Sequence, residues 1–150
     1  MAYVVEVDQS GRKVENTSKA TVVAFANGKE RAILVPAEVK REIIPMLRQQ
    51  SKAESLHYLL FATVLYLLLK DDIEQIDRAI IDIEYRGKED RIKAHLINLL
   101  RRAGKKVENP QIQFDWITKK SPAHRTAIRT FRGQREPDHV VSLDELLREF

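Results

Sequence analysis

The run Ala79-Ile-Ile-Asp-Ile-Glu-Tyr85 is rich in β-branched residues, the composition of a strand buried in the middle of a sheet. It nevertheless carries two carboxylates, Asp82 and Glu84, at alternate positions, which directs both to one face. A carboxylate beside Ile80, Ile81 and Ile83 is costly to bury unless a metal, a cation or several donors compensate. The run is therefore either an exposed edge or the floor of a site. One other segment has the same form: Tyr3-Val-Val-Glu-Val-Asp8 reads as a strand that ends on an acid and continues into Gln9-Ser10-Gly11. If the two strands are adjacent, Asp8 and Glu84 stand side by side where the strands end.

Composition bounds what such a site can be. A chain of 150 residues fits one domain, 1–150, long enough for a sizeable core, and 43% hydrophobic with 32% charged residues is a globular balance. There is no cysteine, which excludes disulfides and thiolate metal sites and leaves oxygen ligands and four histidines. The net charge of +4 suits a polyanionic partner and equally a solvated basic surface. Met1 leads directly into a strand, so no signal peptide is expected. The most apolar run, 58–69, is shorter than the roughly 20 residues of a membrane span. The expectation is a cytoplasmic protein with no membrane partner.

Outward from the first strand, Thr21-Val-Val-Ala-Phe-Ala26 and Arg31-Ala-Ile-Leu-Val35 flank Asn27-Gly28, a pair suited to a tight hairpin, so three antiparallel strands open the fold. Pro36 starts a helical segment in which Val39, Ile43 and Leu47 share a face, with Pro45 expected to break or kink it. Ser51-Lys-Ala-Glu54 has the form of a capping box for a helix over 52–70, apolar all round in its second half. Such a helix must be covered on several sides, by the sheet, by other helices, or by a second copy in a homodimer. After the 79–85 strand come a helix that Gly104 stops, a fifth, edge strand over 111–117, a helix from Ser121-Pro122 to about residue 131, a linker over 133–138, and a last helix capped by Ser142 and Glu145. A right-handed crossover from the third strand puts the fourth parallel to and beside the first. Their carboxyl ends then open on one edge, the usual place for a site in such sheets.

With Asp8 in Val-Asp-Gln-Ser-Gly, Glu84 in Ile-Asp-Ile-Glu-Tyr and His124 in Lys-Lys-Ser-Pro-Ala-His-Arg-Thr-Ala, the chain resembles the ribonuclease H-like superfamily, in particular its RuvC-type, Holliday-junction-resolvase-like branch. The resemblance covers most of the chain through Phe131 and rests on element order and acid placement. It implies an α/β fold with a mixed five-stranded sheet, three antiparallel strands then two parallel, flanked by helices. It also implies catalytic Asp8, Glu84 and His124 at the ends of the first and fourth strands and on the last helix of that fold, together binding divalent ions, Mg²⁺ or Mn²⁺, that cut a phosphodiester. The chain departs from many relatives in offering a single histidine where they have one or two aspartates.

Each residue also has a plainer reading. Asp8 before Ser-Gly suits a turn, and Glu84 suits a strand leaving the core. Asp82 is either a further metal ligand or the partner of a lysine or arginine. His124 falls in the first turn of its helix, where unpaired N–H groups and the helix dipole favour a neutral ring with a free lone pair, as ligation or proton transfer needs. It is otherwise an ordinary surface histidine. His57 and His95 read as structural, His139 as a linker residue and Asp115 as solvent-facing. Lys119 and Lys120, with Arg125, Arg129 and Arg132 at helical spacing, form a basic ridge beside His124 suited to nucleic-acid phosphates. Arg101, Arg102, Lys105 and Lys106 are accounted for by a helix C-terminus, and aromatic residues are not interleaved with the cations, so single-strand stacking is not indicated. The chain has no GxGxxG, GxxxxGK[ST], HExxH or GxSxG, and Glu84-Tyr-Arg86 is a poor match to a restriction-type Glu-x-Lys. The expectation is a metal-dependent nuclease acting on DNA or RNA. Its rival is an inactive binding module on the same scaffold, dimeric through helix 52–70.

Overall fold

The computed structural model describes residues 3–50 and 53–150. Valine, alanine and phenylalanine make β2 (Thr21–Asn27) buried on both faces, every residue from Thr21 to Ala26 being inaccessible or nearly so. A strand of this kind belongs in the interior of a covered sheet. It pairs antiparallel with β1 (Val4–Gly11) on one side and with β3 (Lys29–Val35) on the other, turning at Gly28, whose φ of 86° a side-chain-bearing residue rarely adopts.

β4 (Arg78–Asp82) lies parallel to and beside β1, with Val4 opposite Arg78 and Val7 opposite Ile81, and β5 (Ile112–Asp115) lies parallel to β4 at the edge. The sheet has six strands, not five, in the order β5-β4-β1-β2-β3-β6. The added strand, β6 (His139–Val140), runs parallel to β3. Two residues carry no periodicity, so His139 was expected in a linker. The segment is tied down because Asp138 accepts from the Ala32 N–H (2.8 Å) and His139 Nε2 meets Glu145 at 2.7 Å. The architecture is thus α/β, a mixed six-stranded sheet with helices on both faces.

Alternation along the strands assigns the two faces. Val5, Val7, Val23, Phe25 and Ile33 point to one side, where they pack with α2 (Ala53–Leu69). Val22, Ala24 and Ala32 point to the other and meet Ala127 of α4 (Pro122–Phe131). α2 is flanked by α1 (Ala37–Arg48) and α3 (Glu89–Arg102), and its second half, Leu60 to Leu69, is buried within the single chain. The apolar positions that raised the question of a second copy are therefore covered from within. The capping box expected over 51–54 falls on residues and side chains outside the described ones. α1 runs through Pro45 to Arg48 instead of ending there, because the proline lies in the last turn and removes only the bond to the carbonyl of exposed Arg41. α5 (Leu143–Leu147) has the expected Ser142 and Glu145 capping box.

One buried cation holds the loop between β1 and β2. Lys40 of α1 is fully buried, and its ammonium donates to Asn16 O (2.6 Å), Thr21 Oγ1 (2.9 Å) and Lys13 O (3.5 Å). Burial holds its pKa down to about 8. Lys40→Met leaves these acceptors without their donor and is expected to cost about 1–3 kcal/mol in urea unfolding near neutral pH. Below pH 8 the folded state carries the buried charge. Between pH 8 and about 10.4 the unfolded chain binds the proton that the folded state has released, so the wild type gains stability relative to Lys40→Met as pH rises through that window.

Candidate functional site

Parallel pairing of β1 with β4 sets the geometry. One step beyond the Val7 and Ile81 pair, Asp8 and Asp82 stand level on the face that α4 covers, and Asp82 is in turn level with Asp115 on β5. Asp8 is not at the end of its strand. β1 continues to Gly11 because Gln9, Ser10 and Gly11 still find partners on β2 in Val23, Val22 and Thr21. β4, by contrast, stops at Asp82, two residues before Glu84. There the chain turns: the Glu84 carbonyl accepts from Lys13 Nζ (2.9 Å), and Tyr85 swings into the core against Tyr58 and Phe61, its hydroxyl donating to Glu15 Oε1 (2.6 Å).

These turns gather carboxylates from both strands. One oxygen from each of Asp8, Asp82 and Glu84 lies within 4.8 Å of the others, Asp8 being buried and the other two half-buried. Asp8 Oδ1 accepts from the Gln9 N–H (2.8 Å), and Asp82 Oδ1 accepts from the Ile117 N–H (2.7 Å), which fixes two of the three. The group is short of positive charge. Burial, then Asp82, then Asp8 push Glu84 up to about 8, with Lys13 opposing, and burial raises Asp8 as well. Gln9 Oε1, lining the same narrow cleft, is buried with no hydrogen-bond partner among the described residues. Three carboxylate oxygens gathered this closely could hold a metal ion.

His124 reaches the cluster from α4. Ser121 caps this helix as expected, accepting from the Ala123 N–H (3.2 Å), and its own hydroxyl donates to Glu6 Oε1 (2.8 Å) on β1. Thr126 donates to Glu30 Oε1 (3.1 Å) on β3. Gly11 lets the far end of the helix settle onto the sheet: a Cβ there would lie 2.5 Å from the Phe131 ring and collide with the Ala20 carbonyl. So seated, α4 brings His124 Nδ1 to 2.8 Å from Asp8 Oδ2. With Nδ1–H as donor, the ring lone pair is on Nε2. His124 is thus held against one carboxylate and is not among the three residues whose ligand atoms cluster.

The basic residues divide. Lys119 and Lys120 are exposed in the turn before α4, and Arg125 and Arg129 are exposed along it; none of the four is in an ion pair among the described residues. Arg132, also exposed, joins Arg12 and Lys19 around a separate pocket of about 200 Å³ over Gly11 and Phe131. Arg12, Lys13, Lys19 and Gln9 were not anticipated; all come from β1 and the loop after it, where no periodicity marks them. Asp115 is exposed, as expected. No helix among the described residues is long and apolar enough to cross a membrane. No family model matches the chain, and neither a curated protein nor a solved structure matches it.

Because the folded state holds a proton on Glu84 up to about pH 8 and the unfolded chain loses it near 4.5, the folded state binds more protons between those values. Stability of the metal-free protein is expected to fall as pH rises from about 5 to 8, and Glu84→Gln is expected to flatten that fall. Chemical unfolding at a series of pH values checks both.

Proposed function

We propose that the protein is a metal-dependent phosphodiesterase acting on nucleic acid, built on a ribonuclease H-like sheet of the junction-resolving type. The observation that carries this reading is the convergence within 4.8 Å of Asp8 and Asp82, on parallel neighbouring strands, and Glu84, in the turn after the second, with a histidine bonded to one of them. Asp8, Asp82 and Glu84 would hold Mg²⁺ or Mn²⁺. When bound, such an ion lowers the pKa of an attacking water and stabilises the leaving oxygen.

The chain's own residues supply the rest. The Gln9 and Ile117 N–H groups orient Asp8 and Asp82 so that one oxygen of each is already committed. With Nδ1–H as donor, His124 fixes the second oxygen of Asp8 and keeps the Nε2 lone pair free to act as a base. Lys119, Lys120, Arg125 and Arg129, exposed before and along α4, would contact the phosphate backbone.

Manganese binding is expected to raise thermal stability, by about 2.7 kcal/mol at a free concentration 100 times Kd. In a cleavage assay over RNA/DNA hybrid, duplex and branched DNA, Asp8→Asn is expected to lose ~100-fold or more. His124→Ala is expected to lose about 10- to 100-fold, the usual effect of removing the group that orients a ligand. Absence of both cleavage and Mn²⁺ binding at millimolar concentration overturns the reading in favour of a non-catalytic binding module. Arg125→Ala and Arg129→Ala are each expected to reduce the slope of log affinity against log salt by about 1, measured on uncut substrate.

A further inference from the structure

The chain's one tryptophan is its most exposed large apolar side chain among the described residues. Trp116 follows β5 directly and is 59% accessible, left largely uncovered by the described residues. Its position is fixed by the site. The Trp116 N–H donates to Asp115 Oδ1 (2.8 Å), and the next N–H, of Ile117, donates to Asp82 Oδ1 (2.7 Å). Over the ring, 5.4 Å from its centroid, lies the guanidinium of Arg86, two residues past Glu84. Arg86 thus belongs to the turn that carries Glu84, and Trp116 precedes the N–H that holds Asp82.

An exposed indole backed by a guanidinium has one evident use beside a set of phosphate-binding cations. Arginine on one side stiffens and polarises the ring, and the other side is a flat surface of the size of a base. Stacking of a base on an aromatic ring requires that base to be unpaired, because a paired base in a continuous helix already has neighbours on both sides. Lys119 and Lys120, three and four residues beyond Trp116, carry unpaired charge for the adjoining phosphates. In space, however, one aromatic ring and one cation do meet, Trp116 and Arg86.

We infer that Trp116 and Arg86 form a stacking platform for an unpaired nucleobase next to the carboxylate cluster, so that the preferred ligand is nucleic acid with a single-stranded or unpaired segment. This inference rests on the nucleic-acid reading above but not on cleavage, and its test separates the two. Trp116 fluorescence is followed, in buffer without divalent cations, while oligothymidylate or a blunt, fully paired duplex is added. Quenching by oligothymidylate but not by the duplex is expected. Anisotropy of fluorescein-labelled oligothymidylate is expected to show affinity falling about 10- to 100-fold in Trp116→Ala and by no more than about 3-fold in Trp116→Phe, which keeps a ring. Because the residue is exposed, both variants are expected to melt as the wild type does. Equal quenching by the two ligands, or an unchanged affinity in Trp116→Ala, overturns the platform even if cleavage is found. Quenching and aromatic rescue in a protein that cuts nothing uphold the platform while the nuclease reading fails.

Discussion

The site depends on one backbone relation, the parallel ladder between β1 and β4. Side chains of paired parallel strands at the same level share a face, so the ladder that aligns Val7 with Ile81 also aligns Asp8 with Asp82. A slip of one residue would send one carboxylate to the α2 face, into an apolar layer of Val5, Val7 and Phe25 that offers no partner. The register is therefore held by the hydrophobic residues on one face, and the acids on the other are its passengers. Burial, and after it the neighbouring carboxylates, push Glu84 and Asp8 upward.

Around that ladder, the supports come from distant parts of the chain. α4 is anchored at its start by Ser121 to Glu6, in its middle by Thr126 to Glu30, and at its end by the packing of Phe131 over Gly11. The three contacts fix the height of the helix above the sheet, and with it the reach of His124. On the opposite side, Lys40 ties down the loop that carries Lys13, whose ammonium holds the Glu84 backbone. A buried lysine on α1 thus bears on a carboxylate some distance away through one loop.

Much of this was legible in the residues. Strand periodicity, the Asn27-Gly28 turn and the Ser121-Pro122 cap give the order of the elements, and the handedness of crossovers then puts β4 beside β1. Asp8, Asp82 and Glu84 stood out because they are acids in otherwise apolar runs. The ends of strands were less readable. β1 outlasts Asp8 because β2 continues to offer partners, and β4 stops at Asp82 because Tyr85 turns into the core; both are decided by neighbours far away in sequence. β6 exists only because Asp138 and Val141 meet the free edge of β3. Trp116 read as one apolar residue of a strand, and only the early end of β5 exposes it.

The contributors to the cluster are spread along the chain, and this bears on biosynthesis. During translation Asp8 emerges first, Asp82 and Glu84 only after half the chain, and the helix carrying His124 near the end. The residues of β1, β2 and β3 thus leave the ribosome well before those that give Asp8 its neighbouring carboxylates. The contact between His124 and Asp8 is therefore made only when the late helix docks.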